Sequence, residues 1–364
     1  MSKKIIQIKK RENALQLTWI LNNICTNHCD YCVPTLHMGT NHHYEWDHAR
    51  AFIERLFDRY PSIHCTISGG EPTLSPFFPE MVKMFFDRGH TVGITTNGSR
   101  SLRYFEEIAP MLSYICFSYH PSYHDDGFYE KALMASQHCN VTVRVMMDSR
   151  HWQRSVDMYN MCINSKTLNT EPVKILAEVS TRTGVGEEYT PEQLDWINNN
   201  FLVTVPFSIK NPNWKRANIG AEFYYDDGTF ERDGDSVKLV TTGQTDFRGW
   251  ACNIGLESLF VHWDGRVKKG NCMQGGLLFH VNEHEQHPLP TRAEICYQNL
   301  CSCGTDVLIS KVPVYDKNDD IVQKNSVYRQ VFNQEEYKNA FYDGENRVKE
   351  EIIRLMPKNE LGIK

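Results

Sequence analysis

Residues 15–32 read LQLTWILNNICTNHCDYC, an apolar segment that leads directly into three closely spaced cysteines. The segment at about residues 16–22 has the apolar, β-branched composition of a buried strand. Cys25, Cys29 and Cys32 then follow within a loop of eight residues. A short loop is the least costly way to bring three thiolates to one centre, so this spacing predicts a metal site.

The same strand-then-helix pattern continues to about residue 209. Apolar strand segments alternate with amphipathic helical segments, and strands are expected at 16–22, 62–68, 91–96, 113–119, 141–147 and 173–179. This alternation predicts a parallel sheet with helices outside it, either barrel-like or doubly wound. Folds of this kind place their functional loops at the carboxyl ends of the strands.

Length, composition and charge limit the class of protein. The chain has 364 residues, of which 41% are hydrophobic and 23% charged, so it can bury a sizeable core. Its net charge of -6 disfavours nucleic-acid binding. It has neither an apolar run long enough to span a membrane nor a secretory signal. A cytoplasmic location is therefore expected, where the twelve cysteines would be free, catalytic or metal-bound.

Small polar turns follow the next three predicted strands. They are SGGEP at 68–72, TTNG at 95–98 and SYHP at 118–121. Paired glycines allow a backbone to approach a ligand closely, and Glu71 offers a carboxylate to an ammonium or hydroxyl group. Each turn alone fits an ordinary strand-to-helix connection. Together with the cysteines, and in this order, they predict one active site at the carboxyl end of the sheet.

The spacing of the three cysteines by itself fits two kinds of metal site. A closed zinc site needs a fourth protein ligand, for which the nearby candidates are His28, His37, His42 and His43. A [4Fe–4S] cluster can instead accept three cysteines and leave one iron open to a substrate or cofactor.

With these motifs in place, the chain resembles the radical S-adenosylmethionine (radical SAM) superfamily. The resemblance rests on CxxxCxxC at 25–32, GGEP at 69–72 and TTNG at 95–98, and it covers roughly residues 16–205. It implies a partial (β/α)6 TIM-like barrel, with a [4Fe–4S] cluster on the three cysteines and SAM on the open iron. An electron from a partner such as flavodoxin or ferredoxin would cleave SAM to a 5′-deoxyadenosyl radical, which abstracts a hydrogen atom.

The resemblance also implies residues that contact SAM. The backbone at Gly69 and Gly70, with Glu71, would contact its amino group, and the backbone of Tyr31 would lie near the adenine. Arg144 is expected either to bind a carboxylate of SAM or of a substrate, or to form an ion pair across the barrel. Near the ribose the expected residues are Thr96, Asn97 and Ser118. Candidates for binding a polar substrate, or alternatively for structural roles, are His120, His124, Asp125, Asp126 and Glu178.

Five further cysteines fall in the C-terminal third of the chain. The segment from Cys252 to Cys272 contains a predicted hairpin at 256–270 and resembles the start of a SPASM or twitch auxiliary-cluster domain. The resemblance implies one auxiliary [4Fe–4S] cluster, because two fully protein-coordinated clusters need about eight ligands. A zinc ribbon is the alternative. In decreasing order of expectation the ligands are Cys252 and Cys272, then Cys301 and Cys303, then Cys296. The isolated cysteines are expected in the core: Cys65, Cys116, Cys139 and Cys162.

The sequence predicts a barrel at 1–209, an auxiliary-cluster domain at 210–312 and a C-terminal extension at 313–364 with a helix near 333–356. The expected function is hydrogen abstraction from a polar small molecule, as an oxidation or epimerisation of an aminosugar-like metabolite. A SPASM-type peptide- or protein-modifying enzyme is the alternative. It is weakened because only about fifteen residues precede the first predicted strand, too few for a leader-peptide-binding domain. A zinc-stabilised, non-catalytic binding protein is a second alternative.

Overall fold

The described part of the chain folds into two β-sheets. The computed structural model describes residues 3–32, 36, 44–123, 127–175, 188–205, 211–217, 219–272, 274–301 and 303–327. One sheet has nine strands and the other has six. The strands are β1 (Ile5–Lys10), β2 (Leu15–Ile20), β3 (Ile63–Ser68), β4 (Thr91–Thr96), β5 (Tyr114–Tyr119), β6 (Asn140–Met146), β7 (Asn169–Val173), β8 (Ala221–Tyr225), β9 (Phe230–Glu231), β10 (Trp250–Cys252), β11 (Ser258–Val261), β12 (Arg266–Lys268), β13 (Leu277–His280), β14 (Glu294–Ile295) and β15 (Lys311–Pro313).

Helices follow the parallel strands one by one. Each of β2 to β7 is succeeded by one of the first six helices, which is the pattern that the sequence predicts. The helices are α1 (Trp46–Arg59), α2 (Phe78–Asp87), α3 (Leu102–Ile108), α4 (Phe128–Ala135), α5 (Trp152–Asn164), α6 (Pro191–Asn199), α7 (Ser236–Thr241), α8 (Gly304–Val307) and α9 (Asp320–Asn325).

Strand order distinguishes the two architectures that the alternation allows. In the nine-stranded sheet the order is β13-β12-β11-β2-β3-β4-β5-β6-β7, and β2 to β7 are all parallel. A doubly wound sheet would reverse its order at a switch point. Here the parallel strands follow one another without reversal, which confirms the α/β partial TIM-like barrel.

Side chains along the parallel strands alternate between an apolar and a polar face. The apolar face, with Leu17, Ile67 and Val143, packs in one core with buried residues of α1 and α2 such as Phe52 and Phe85. The opposite face, here called the inner face, is mostly polar. Its residues include Thr18, Thr66, Thr95, Cys116, Ser118, Thr142, Arg144 and Glu171, which the register aligns in rows across the sheet.

The sixth parallel strand lies earlier in the chain than the sequence predicts. The apolar run at 173–179 is the predicted strand, but β7 occupies Asn169–Val173 and pairs with β6 from Thr142 to Met146. Its sequence, NTEPV, is polar and contains Pro172. Proline is tolerated in a strand at a sheet edge, where its missing N–H leaves no central ladder bond unmade. Residues 176–187 lie outside the described residues.

Two segments cross the predicted boundary at 209. Strand β1 pairs with β8 and with β15, so it lies in the six-stranded sheet built mainly from the C-terminal part. Strand β11 pairs in parallel with β2 and extends the barrel sheet. The predicted hairpin turning at Asp264-Gly265 is present as β11 and β12. The predicted helix near 333–356 lies outside the described residues, and no described helix is long and apolar enough to cross a membrane.

Candidate active site

The cysteine loop is fastened along its backbone to the GGEP turn. Gly70 N donates to Asn22 O at 2.9 Å, and Glu71 N donates to Ile24 O at 2.6 Å. Asn22 Nδ2 returns a bond to Glu71 O at 2.9 Å. A Cβ at Gly69 would stand 2.6 Å from Asn22 O, and one at Gly70 would collide with Ile24 O. The paired glycines therefore allow close contact between two loops of the chain.

Glu71 is fully buried and its carboxylate is occupied by donors of the protein. Oε1 accepts from Thr73 N at 3.1 Å, from Thr73 Oγ1 at 2.5 Å and from Thr96 Oγ1 at 2.8 Å. Oε2 accepts from Asn97 N at 2.6 Å. Burial raises the pKa of Glu71, and these four donors oppose that rise. The side chain thus braces the GGEP turn against the TTNG turn, and its expected contact with SAM stays a prediction.

Asn97 extends this bracing to the first cysteine. Its side-chain Nδ2 lies 3.5 Å from Cys25 Sγ and donates to Thr26 Oγ1 at 2.9 Å. Cys25 Sγ also accepts from Asn27 N at 3.4 Å. Donors directed at a thiolate hold its orientation and stabilise its negative charge. The turns after β3 and β4 therefore fix the position of Cys25.

Cys29 lies in a separate network with Tyr31 and His120. His120 Nδ1 is 3.5 Å from Cys29 Sγ and 2.7 Å from the Tyr31 hydroxyl, and the two rings stack at 5.9 Å. Burial lowers the pKa of His120 to about 4, so its ring is neutral near pH 7. The predicted His120 thus lies beside the cysteine loop, at the end of β5.

The donor set fits an iron–sulfur centre. Cys25, Cys29 and Cys32 are free thiols. Burial raises the pKa of Cys29 to about 12 and also raises the pKa of Cys25. A buried thiolate needs a positive centre beside it, and iron bound to cysteine supplies one. Three such thiols on one loop, with Asn97 beside Cys25 and His120 beside Cys29, are suited to holding an iron–sulfur cluster.

An ion-pair brace on the cysteine loop is missed by the sequence reasoning. Arg150 donates to Asp30, within the cysteine loop, at 2.6 Å and to the fully buried Asp148 at 3.0 Å. Burial opposes ionisation of Asp148, but bonds from Arg150 and Ser122 hold its pKa below the usual value. The sequence feature that could have indicated this contact is the position of Asp148 just after β6, at the carboxyl end of the sheet where the other polar turns lie.

Arg144 and Ser118 lie on the inner face, in one row with Glu171. The register aligns Ser118 with Arg144 and Arg144 with Glu171. Arg144 Nε bonds Glu171 Oε2 at 2.8 Å, and the arginine side chain remains 49% exposed. This ion pair joins the neighbouring strands β6 and β7, so the first predicted role of Arg144, an ion pair across the barrel, stays a prediction. Its second predicted role, in binding a carboxylate, stays a prediction.

Several candidates fall outside the described residues: His37, His42, His43, His124, Asp125, Asp126 and Glu178. Within the described ranges, no three His, Cys, Asp or Glu side chains converge closely enough to hold a single metal ion. The four isolated cysteines are all buried. Cys65, Cys139 and Cys162 lie in the hydrophobic core as expected, whereas Cys116 lies on the inner face.

A second group of cysteines surrounds a small cavity in the C-terminal part. Gln298, Asp306 and Lys311 also line the cavity. Cys303 is not among the lining residues, although the sequence ranks it above Cys296. The four cysteines that do line the cavity are Cys252, Cys272, Cys296 and Cys301.

This cavity also fits an iron–sulfur centre. Its four cysteines are free thiols, and burial raises the pKa of each, to about 11 for Cys252 and about 12 for Cys301. Gln298 Oε1 is buried and has no hydrogen-bond partner among the described residues. The backbone N–H of Cys272 donates to Asp306 Oδ2 at 2.7 Å, which orients that cysteine. Four thiols around one space are the ligand number of a fully protein-coordinated cluster.

Comparison with known proteins gives one family and several distant structures. No curated protein matches the chain. SuiB of Streptococcus suis bound to S-adenosylmethionine aligns with a TM-score of 0.46 at 12% identity, covering 72% of this chain and 61% of SuiB. The protein anSMEcpe with bound AdoMet and a Cp18Cys peptide aligns with a TM-score of 0.43 at 14% identity, covering 75% and 78%. The chain thus spans about three fifths of the SuiB length.

The family match covers the site described above. Residues 19–133 match the radical SAM superfamily. This range includes the cysteine loop, the GGEP turn, the TTNG turn and His120, which are the residues that the hydrogen bonds join at the carboxyl ends of β2 to β5. The part of the chain that carries this site is therefore similar to the radical SAM superfamily.

Proposed function

We propose that the protein abstracts a hydrogen atom from a polar small molecule bound against the inner face. The observation that carries the proposal is the polar character of this face. Thr95, Cys116 and Thr142 form one row across it, and Ser118, Arg144 and Glu171 form the next row towards the cysteine loop. A substrate with hydroxyl, ammonium or carboxylate groups finds hydrogen-bonding partners there.

The inner face reaches the cysteine loop through Met146. Met146 packs against the buried cluster formed by Cys29, Tyr31 and Ile175. Arg144 precedes Met146 by two residues and points to the same side of the sheet, one step of about 7 Å along the strand. A substrate held at Arg144 would therefore lie just below the three cysteines. Arg144 has further N–H donors besides Nε with which to bind a substrate carboxylate.

Cys25, Cys29 and Cys32 would hold the [4Fe–4S] cluster, and the GGEP and TTNG turns would border SAM. When bound, the cluster and SAM together would supply a radical, formed by one-electron cleavage of SAM, that can attack an unactivated C–H bond. The chain's own residues fix the thiols, through Asn97 at Cys25 and through Tyr31 and His120 at Cys29. A one-electron reductant such as flavodoxin or ferredoxin is the proposed partner.

We further propose one auxiliary [4Fe–4S] cluster on Cys252, Cys272, Cys296 and Cys301, in a SPASM- or twitch-like domain. Their convergence on one cavity supports this set. A zinc ion at the same cysteines is the competing occupant, and metal analysis separates the two.

The test is anaerobic purification and reconstitution of the parent chain and of the triple variant Cys25→Ala/Cys29→Ala/Cys32→Ala. We expect about eight irons in the parent and about four in the triple variant. SAM cleavage to 5′-deoxyadenosine should occur only in the parent. Absence of iron, or SAM cleavage by the triple variant, would overturn the proposal.

Substrate class is tested by the same release of 5′-deoxyadenosine. Candidate polar metabolites should stimulate 5′-deoxyadenosine release by the parent. Arg144→Gln should lower kcat/KM for the substrate by about tenfold or more, because a charged hydrogen bond is lost. Glu171→Gln is the matched control, because it removes the partner of Arg144 but keeps the guanidinium. Stimulation by peptides alone would place the protein instead with peptide-modifying enzymes, as for SuiB, whose structure is also known bound to the precursor peptide SuiA.

A further inference from the structure

Lys311 places a positive charge inside the protein beside the four-cysteine cavity. Lys311 is 3% exposed, and its Nζ donates to the carbonyl oxygens of Asp306 and Val307, each at 2.8 Å. The ammonium also lies 4.7 Å from the centre of the Phe247 ring. Two carbonyl acceptors and an aromatic face are partners suited to an ammonium group.

The sheet register holds this charge next to a proposed ligand. Lys311 in β15 is the direct cross-strand partner of Cys252 in β10. Cross-strand partners project to the same face of a sheet, with Cβ atoms about 5 Å apart. Lys311 accordingly lines the cavity together with the four cysteines.

A cluster held by four thiolates is anionic and becomes more so on reduction. A nearby fixed cation stabilises the reduced form more than the oxidised form, and burial limits screening of that interaction by salt. Net charge and hydrogen bonding around a cluster are among the factors that set its potential. The other charged group that lines the cavity, Asp306, would act in the opposite direction, and its Oδ2 accepts from Cys272 N at 2.7 Å.

We propose that Lys311 raises the reduction potential of the auxiliary cluster and so makes that cluster an electron acceptor. This inference rests on the proposed function, and it favours oxidation over epimerisation. In an oxidation the substrate gives a hydrogen atom to the 5′-deoxyadenosyl radical. It then loses one proton to solvent and one further electron to the oxidised auxiliary cluster.

The test is an EPR-monitored redox titration in the Cys25→Ala/Cys29→Ala/Cys32→Ala background, where only the auxiliary cluster contributes. Adding Lys311→Met or Lys311→Gln should lower the ratio of reduced to oxidised cluster at a fixed ambient potential by about tenfold. For a one-electron couple this corresponds to a shift of about 59 mV. Lys311→Gln retains N–H donors for the two carbonyls, so it separates the charge from the packing. Lys311→Arg keeps the charge and should keep the ratio within about twofold.

Lys10 supplies a matched control. It is also buried, and its Nζ also donates to two carbonyl oxygens, those of Ala14 and Glu257, but it does not line the cavity. Lys10→Met should therefore leave the potential unchanged even if it lowers stability. An unchanged potential in Lys311→Met and Lys311→Gln, with iron bound, would overturn this inference alone. Absence of iron from the triple variant would overturn the auxiliary cluster and the inference together.

Discussion

At the scale of single residues, Glu71 shows how a motif can be recognised while its side chain does something else. The sequence offers a carboxylate to a ligand, whereas the folded chain surrounds that carboxylate with Thr73, Thr96 and Asn97. Four hydrogen bonds to one buried group make it a rigid connection between two turns. Asn97 then carries that connection to Cys25.

Glu71→Gln should lower the free energy of unfolding by about 1–3 kcal/mol. Either orientation of the amide turns its NH2 group towards a backbone N–H, that of Thr73 or that of Asn97, so one bond is replaced by a clash of donors. Chemical denaturation of the reconstituted protein measures the change, and retention of iron on Cys25, Cys29 and Cys32 should fall with it. Glu107→Gln, at an exposed i,i+4 ion pair with Arg103, is the control and should change little. Equal effects of the two substitutions would contradict the bracing role.

At the scale of secondary-structure elements, turn chemistry fixes the hairpin that follows Cys252. Gly265 has a φ of +84°, which its place in the turn requires. The Asp264 carboxylate accepts from Arg266 Nε at 2.7 Å and lies 3.0 Å from His262 Nδ1. Burial opposes ionisation of Asp264, but these partners hold its pKa far below the usual value. The DG pair predicts the turn from sequence, whereas the contacts of Asp264 with Arg266 and His262 emerge only from the fold.

Asp264→Asn should destabilise the protein by about 1–3 kcal/mol at pH 7. Because the folded-state pKa is depressed, this stabilisation is fully present above the unfolded value of about 3.9 and declines as the pH falls below it towards the folded value. Thermal unfolding is measured at pH 7, 5 and 4. The difference in the free energy of unfolding between the parent and Asp264→Asn should be the same at pH 7 and 5 and should begin to decrease only at pH 4. The control is Asp320→Asn, because the Asp320 side chain is 96% exposed. Its free energy of unfolding should stay within about 0.5 kcal/mol of the parent value. A free-energy difference that increases as the pH falls would contradict the lowered pKa of Asp264.

At the scale of the whole molecule, the two sheets share their strands. Strand β1 runs in the six-stranded sheet and β2, a few residues later, in the barrel sheet. Strand β11 returns from the C-terminal part to pair with β2. The barrel and the six-stranded sheet are thus joined through β1 and β2. Cys252 and Cys296, which are far apart in sequence, come together because β10 pairs with β14.

Cys296→Ala should reduce iron by about four per chain in the triple-cysteine background, whereas Cys303→Ala should leave it unchanged. The reason is that Cys296 lines the cavity and Cys303 does not. Iron and sulfide analysis after anaerobic reconstitution measures the difference. Loss of iron in Cys303→Ala with retention in Cys296→Ala would reverse the proposed ligand set.

Local sequence patterns predict much of the barrel. The strands at 63–68, 91–96 and 114–119 lie within a residue of their predicted bounds, because alternation of apolar and polar residues follows directly from one buried face. Strand β7 is displaced because an edge strand needs fewer apolar residues than a central one, so its polar sequence gives little signal. Strand β1 is missed because its partners, β8 and β15, lie more than 200 residues away.

The sequence by itself determined the fold class, the cysteine loop and the order of the turns at the active-site rim, since each depends on residues close together in the chain. Tertiary structure decided which carboxylates and amides brace the cysteine loop, that the inner face presents Arg144 beside Glu171, and that Cys296 rather than Cys303 lines the second cavity beside Lys311. The physical reason is that hydrogen bonds and ligand sites are set by distances in space, and long-range strand pairing fixes those distances only once the chain has folded.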